Sequence, residues 1–119
     1  MDAGQSPKQL KRFIALKGDA EFRKVRKGPA VRTPYFTLRK IPYKPRHGQK
    51  YDPRPVVGII TSKKAMGKAV ERNRARRRIR EALRLGQIPP CKAILMLNPE
   101  VLTADFETLK RALEVAFAK

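Results

Sequence analysis

Two short apolar runs, V-V-G-I-I-T at residues 56–61 and A-I-L-M-L at residues 93–97, flank a long segment whose apolar residues recur at helical spacing. Each run is rich in aliphatic side chains and bounded by polar or helix-breaking residues, the pattern of a buried strand. Between them, residues 69 to about 85 predict a helix that Gly86 stops. On a wheel of about 100° per residue, Ala75, Ile79, Ala82, Leu83 and Gly86 fall on one side. A strand, a helix and a strand in succession imply a parallel pair crossed by that helix. The expected fold class is α/β (α+β): a two-layer sandwich of a small mixed sheet with helices packed on it.

The rest of the chain adds to this frame. Gly18-Asp19 reads as a helix start with Asp19 as N-cap, and Gly28-Pro29 ends that helix near residue 27. Residues 31–41, with Tyr35, Phe36, Thr37 and Leu38, read as one strand, and Pro34 marks an edge or an irregularity in it. Residues 42–55 hold four prolines and the lone His47 and read as a loop. Thr103 is the expected cap of a last helix, with Asp105 and Glu107 complementing its dipole. The expected organisation is a basic, partly disordered arm over residues 1–17 and one folded domain over residues 18–119.

The outward side of the central helix carries the functional signal. From Arg72 to Arg80 there are six arginines in nine positions. Asn73, Arg77, Arg80 and Arg84 fall opposite the apolar side, flanked by Arg74 and Arg76, while Arg72 points nearer the core rim. Four like-charged i,i+4 pairs result: Arg72–Arg76, Arg74–Arg78, Arg76–Arg80 and Arg80–Arg84. Together they cost about 1–2 kcal/mol, partly relieved by Glu81 acting on Arg77 and Arg78. A polyphosphate removes that penalty and releases counterions as it binds. The whole chain points the same way: its net charge is +19, and only four of its 29 basic residues lie beyond Arg84. Such a field favours nucleic acid first and an anionic membrane second. Asn73 is a poor helix-interior residue; it reads either as a late N-cap or as an amide that hydrogen-bonds within folded RNA.

Several classes are disfavoured. One cysteine, Cys91, forbids an internal disulfide and a cysteine-based zinc site. With a single histidine and scattered carboxylates, a stand-alone metal-dependent nuclease lacks its ligands, so no catalytic and no metal-ligating residue is assigned. No run of eighteen apolar residues suggests a membrane span, and the N-terminus is too polar for a signal peptide, so the expected location is cytoplasmic. A DNA regulator needs a helix–turn–helix pair, and here apolar strands flank the basic helix.

S-K-K at residues 62–64 followed by G-K-A-V-E-R-N-R-A-R-R-R-I-R-E-A at residues 67–82 resembles the signature of the bacterial ribonuclease P protein subunit. Arg72, Asn73, Arg74, Arg76, Arg77, Arg80 and Glu81 fit that pattern at every position. The segment D-A-E-F-R-K-V-R-K-G at residues 19–28 is similar to the family's first helix, and the resemblance runs over residues 16–118. It implies a ribosomal-protein-like fold with a left-handed crossover around the arginine helix. It also implies a subunit that binds a large catalytic RNA and promotes removal of the 5′ leader from precursor tRNA. Catalysis is then expected in the RNA with its Mg2+, not in this chain, with no membrane and no protein partner required.

Carried onto this sequence, the resemblance assigns Lys63, Lys64, Lys68, Arg72, Asn73, Arg74, Arg76, Arg77, Arg80 and Arg84 to the catalytic RNA. A cleft between the first helix and the sheet is expected to hold the single-stranded leader. Phe13, Phe22, Arg26, Tyr35 and Phe36 are its candidate residues, because single-stranded RNA is held by aromatic platforms in a cationic groove. The other reading of Phe22 and Phe36 is a place in the core; Tyr35 and Phe36, as neighbours on a strand, must face opposite sides. Family members often carry an aromatic residue where this chain has Arg26, so charge replaces stacking there. The rival reading is a structural ribosomal-type RNA-binding protein with no role in tRNA processing.

Overall fold

A computed structural model describes residues 13–42 and 54–119. The proposed loop at residues 42–55 therefore lies almost wholly outside the described residues, as does the arm over residues 1–12.

Five strands form one mixed sheet: β1 (Ile14–Ala15), β2 (Ala30–Arg32), β3 (Phe36–Ile41), β4 (Val56–Ile60) and β5 (Lys92–Leu97), in the spatial order β1-β4-β5-β3-β2. The β4–β5 pair is parallel, with Gly58 opposite Ile94, and helix α2 (Ala69–Leu85) makes the crossover. β3 runs antiparallel to both β5 and β2. Helix α1 (Asp19–Arg26) follows β1, and helix α3 (Phe106–Ala118) closes the chain.

Alternation along the strands decides which face carries what. Phe36 and Leu38, Val57, and Ala93, Leu95 and Leu97 point to one face. There they pack on Ala75, Ile79, Ala82 and Leu83 of α2 and on Leu109, Leu113, Ala116 and Phe117 of α3. The apolar side predicted for the arginine helix is thus the buried side. On the second face, α1 sets Val25 against Leu16 and Ile94 in a smaller core. Gly58 makes this seating possible: a Cβ there would stand 2.7 Å from the Phe22 ring. Only a glycine lets the ring lie directly on β4.

Local chemistry departs from expectation in four places. Residues 13–17 are not arm: Ile14 pairs in parallel with Val56, and Leu16 is buried. A two-residue strand carries too little pattern to be read. Residues 31–41 form a hairpin instead of one strand. Pro34 sits in its turn, and the Thr33 hydroxyl accepts hydrogen bonds from the Tyr35 and Phe36 N–H groups, both at 3.1 Å. Proline presets the turn's φ and the hydroxyl satisfies its N–H groups. Asp19 is the first helical residue and not the cap; Gly18, at φ 94°, holds the cap position. Asp105, not Thr103, caps α3 by accepting from Thr108 N at 3.3 Å, while Thr103 ends a 3-10 turn over Pro99–Leu102.

Candidate nucleic-acid interface

The arginine helix presents its charge as predicted, with two guanidinium groups diverted inward. Asn73, Arg74, Arg77, Arg80 and Arg84 are exposed, and Arg76 is half-buried. At about 1.5 Å per residue, Asn73 to Arg84 spans roughly 16 Å of helix. Asn73 lies five residues past Lys68, which holds the N-cap position, so the late-cap reading fails. Its amide oxygen accepts from Arg76 at 3.4 Å. Glu81 pairs with Arg84 and not with Arg77 or Arg78. Arg74, Arg77 and Arg80 have no side-chain hydrogen bond or ion pair among the described residues.

Arg72 turns back on its own chain, donating to the carbonyls of Met66 at 2.8 Å and Gly67 at 3.1 Å. It thereby ties the preceding loop to the first turn of α2. The loop is compact in its own right: the Ser62 hydroxyl accepts from Ala65 N at 3.0 Å, and Met66 is buried beneath it. Lys63, Lys64 and Lys68 stand exposed on this loop beside the helix. Arg78 is the second diverted arginine. Its guanidinium donates to the carbonyls of Val101, Leu102 and Ala104, bolting α2 to the segment that leads into α3.

The cleft on the other face is built differently from the expected aromatic floor. Phe22 and Arg26 do line it, Phe22 half-buried over Gly58. One part of the cleft, about 380 Å³, is lined by Arg26, Thr37, Arg39, Ile94 and Met96. The adjoining part is lined by Asp19, Phe22, Arg23, Arg26 and Ile60. Arg39 donates to the carbonyls of Arg26 at 3.2 Å and Gly28 at 3.1 Å, at the C-terminal end of α1. Met96 is 48% exposed on the floor. The surface is therefore apolar at its base and cationic at its rim.

Three of the five proposed cleft residues lie elsewhere. Phe36 is fully buried in the core beneath α2 and α3, so its ring has no face to offer a base. Tyr35 packs against that same core and lines a groove between β2 and α3. Phe13 also packs there and faces α2. Thr37, Arg39, Ile60 and Met96 were missed. The signal was present in F-T-L-R and A-I-L-M-L: with Phe36, Leu38, Leu95 and Leu97 turned inward, Thr37, Arg39 and Met96 must face the other way.

One ion pair holds α1 over this face. Lys92 of β5 meets Glu21 at 2.6 Å, and that contact holds the Glu21 carboxyl below its ordinary value of 4.5. A lowered carboxyl value means the pair stabilises the fold above about pH 4.5 and loses that effect as the pH falls through the folded-state value. Lys92→Met keeps the aliphatic stem and removes the charge. Its unfolding temperature should fall below the parent's at pH 7, and the gap should narrow as the pH is taken below 4.5; a gap that does not change with pH contradicts this role.

A mixed sheet with a guanidinium ridge on one face and a cationic cleft on the other defines a strongly basic α+β protein. The chain belongs to the ribonuclease P protein family, whose model matches residues 10–119. It is 39% identical over 103 residues to the ribonuclease P protein component of Thermus aquaticus, a match covering 87% of this chain and 57% of that protein. It is 40% identical over 105 residues to that of Thermus oshimai, covering 88% and 63%. The chain thus spans about three fifths of the length of these relatives. The solved structure of the Staphylococcus aureus RNase P protein shares the fold, with a TM-score of 0.66 at 24% identity, over 87% of this chain and 92% of that one.

Proposed function

We propose that this chain is the protein subunit of a ribonuclease P holoenzyme: it binds the catalytic RNA through α2 and its lysine loop, and the 5′ leader of precursor tRNA through the α1 cleft. The observation that carries this reading is the row of Arg74, Arg77 and Arg80, three guanidinium groups with no protein counter-charge among the described residues. A helix pays for such a row only where phosphates complete it. The two basic surfaces lie on opposite faces of the sheet, so one polyanion engages each without displacing the other. Among the described residues no group of three His, Cys, Asp or Glu side chains is placed to hold a metal. The magnesium-dependent hydrolysis is assigned to the RNA partner. No helix among the described residues is long and apolar enough to cross a membrane.

Reconstitution tests the reading. Added to a bacterial ribonuclease P RNA at low magnesium, the chain should accelerate 5′ cleavage of precursor tRNA; no acceleration contradicts the proposal. Met96→Asp then isolates the cleft. A like charge about 4 Å from a phosphate costs on the order of 1 kcal/mol even in a water-like medium. Precursor tRNA should bind the holoenzyme roughly fivefold more weakly, while mature tRNA, which lacks the leader, binds unchanged. An equal loss for both would place the leader outside the cleft.

A further inference from the structure

The displaced Phe13 sits in a second groove, between edge strand β1 and the C-terminal half of α2, with a volume of about 610 Å³. Phe13, Lys17, Arg54, Arg80, Glu81 and Arg84 line it. Part of the Phe13 ring packs on the core and the remainder faces the groove. Lys17, Arg80 and Arg84 are exposed, and Glu81, the one acid among the described residues of the lining, is paired with Arg84. The groove therefore keeps a net positive rim around an aromatic wall. β1 adds a third element. Ile14 and Leu16 donate their N–H groups to Pro55 and Val57 of the β4 side, at 2.8 and 3.1 Å. In a parallel pair alternate residues bond alternate sides, so the N–H and C=O of Ala15 face away from β4, along the open sheet edge.

We infer that this groove takes a single unpaired nucleotide of the RNA that covers the ridge, its base stacked on Phe13 and its phosphate held by Arg80 and Lys17. The inference rests on the functional reading above and extends it to a separate site. Three features favour this occupant. An aromatic face beside cations is the combination that binds unpaired bases, because every base offers a π-face and every nucleotide a phosphate. A base within a duplex is already stacked on both sides and has no face free for Phe13. Arg80 and Arg84 belong to both surfaces, so RNA lying along the ridge brings its backbone to the groove mouth.

The experiment measures equilibrium binding of the full chain to ribonuclease P RNA over a range of salt. Phe13→Leu fills the core side of the site without an aromatic face; Phe13→Tyr keeps the face. Stacking on an aromatic side chain contributes roughly 1–3 kcal/mol per base, so Phe13→Leu should bind about tenfold more weakly, with an unchanged salt slope. Phe13→Tyr should stay within about twofold of the parent, on the same stacking argument. A photoreactive benzophenone side chain at position 13, in the assembled particle, should cross-link to an unpaired nucleotide. Equal binding by Phe13→Leu and the parent overturns the inference, as does a Tyr variant as weak as the Leu variant, or a cross-link confined to paired stems. Should the parent chain itself fail to bind the RNA, the functional reading fails first; parent binding with an indifferent Phe13 removes only the groove.

Discussion

Arg77→Ala combined with Arg80→Ala should weaken binding to ribonuclease P RNA by about 30-fold, taking roughly 1 kcal/mol for each exposed charged contact. The dependence of log K on log salt should flatten by about 1.4–1.8, the share of two phosphate contacts. The free protein should respond in the opposite direction. The double substitution removes the Arg76–Arg80 and Arg80–Arg84 repulsions and puts a better helix former at two exposed positions. That adds stability of roughly 0.5–1 kcal/mol. Affinity lost while stability rises is the signature of side chains placed for a partner. A variant that loses both, or neither, contradicts it.

Arg78→Ala should behave in the reverse manner. Its guanidinium serves three backbone carbonyls, two in the 3-10 turn and one in the link to α3, and one of them belongs to the fully buried Val101. A hydrogen bond to a charged donor contributes about 1.5–3 kcal/mol, and the partly buried carbonyls left behind carry a desolvation cost. The expected destabilisation is about 2–4 kcal/mol, which lowers the unfolding temperature by roughly 10 °C or more in a domain of this size. The salt slope of RNA binding should not change, since this guanidinium is turned onto the protein's own carbonyls. Thermal unfolding and salt-dependent binding of the single variant decide the matter. A stable Arg78→Ala protein with a flattened slope would return Arg78 to the ridge.

These two arginines, adjacent in sequence, show where the residues alone carry information and where they do not. The wheel separates Arg77 from the apolar side, and it also puts Arg78 about 40° beyond Ala82, at the margin of the packed face. Nothing in the pattern says that a turn of carbonyls waits at that margin, because the turn is supplied from residues 99–104, some twenty residues on. Glu81 is a similar case: Arg77, Arg78 and Arg84 all lie within reach by helical spacing, and only the folded helix selects Arg84. The β4–α2–β5 frame was legible because each element carries its own periodicity. The cleft was half legible. Phe22 and Arg26 follow from one turn of α1, but the choice between Phe36 and Thr37 turns on strand phase, and a hairpin at Pro34 read as a continuous strand leaves that phase unset. β1 was invisible, since two residues borrow their stability from β4.

The central claim is that RNA covers the outer face of α2, and arginine footprinting of the assembled particle tests it most directly. Treat the chain with an arginine-selective dicarbonyl reagent, free and bound to ribonuclease P RNA, and quantify each site by mass spectrometry. Arg74, Arg77 and Arg80 should be reactive in the free protein and protected in the particle, while Arg111, on α3, reacts alike in both. Full reactivity of Arg77 and Arg80 in an assembled, cleavage-competent particle would contradict the account.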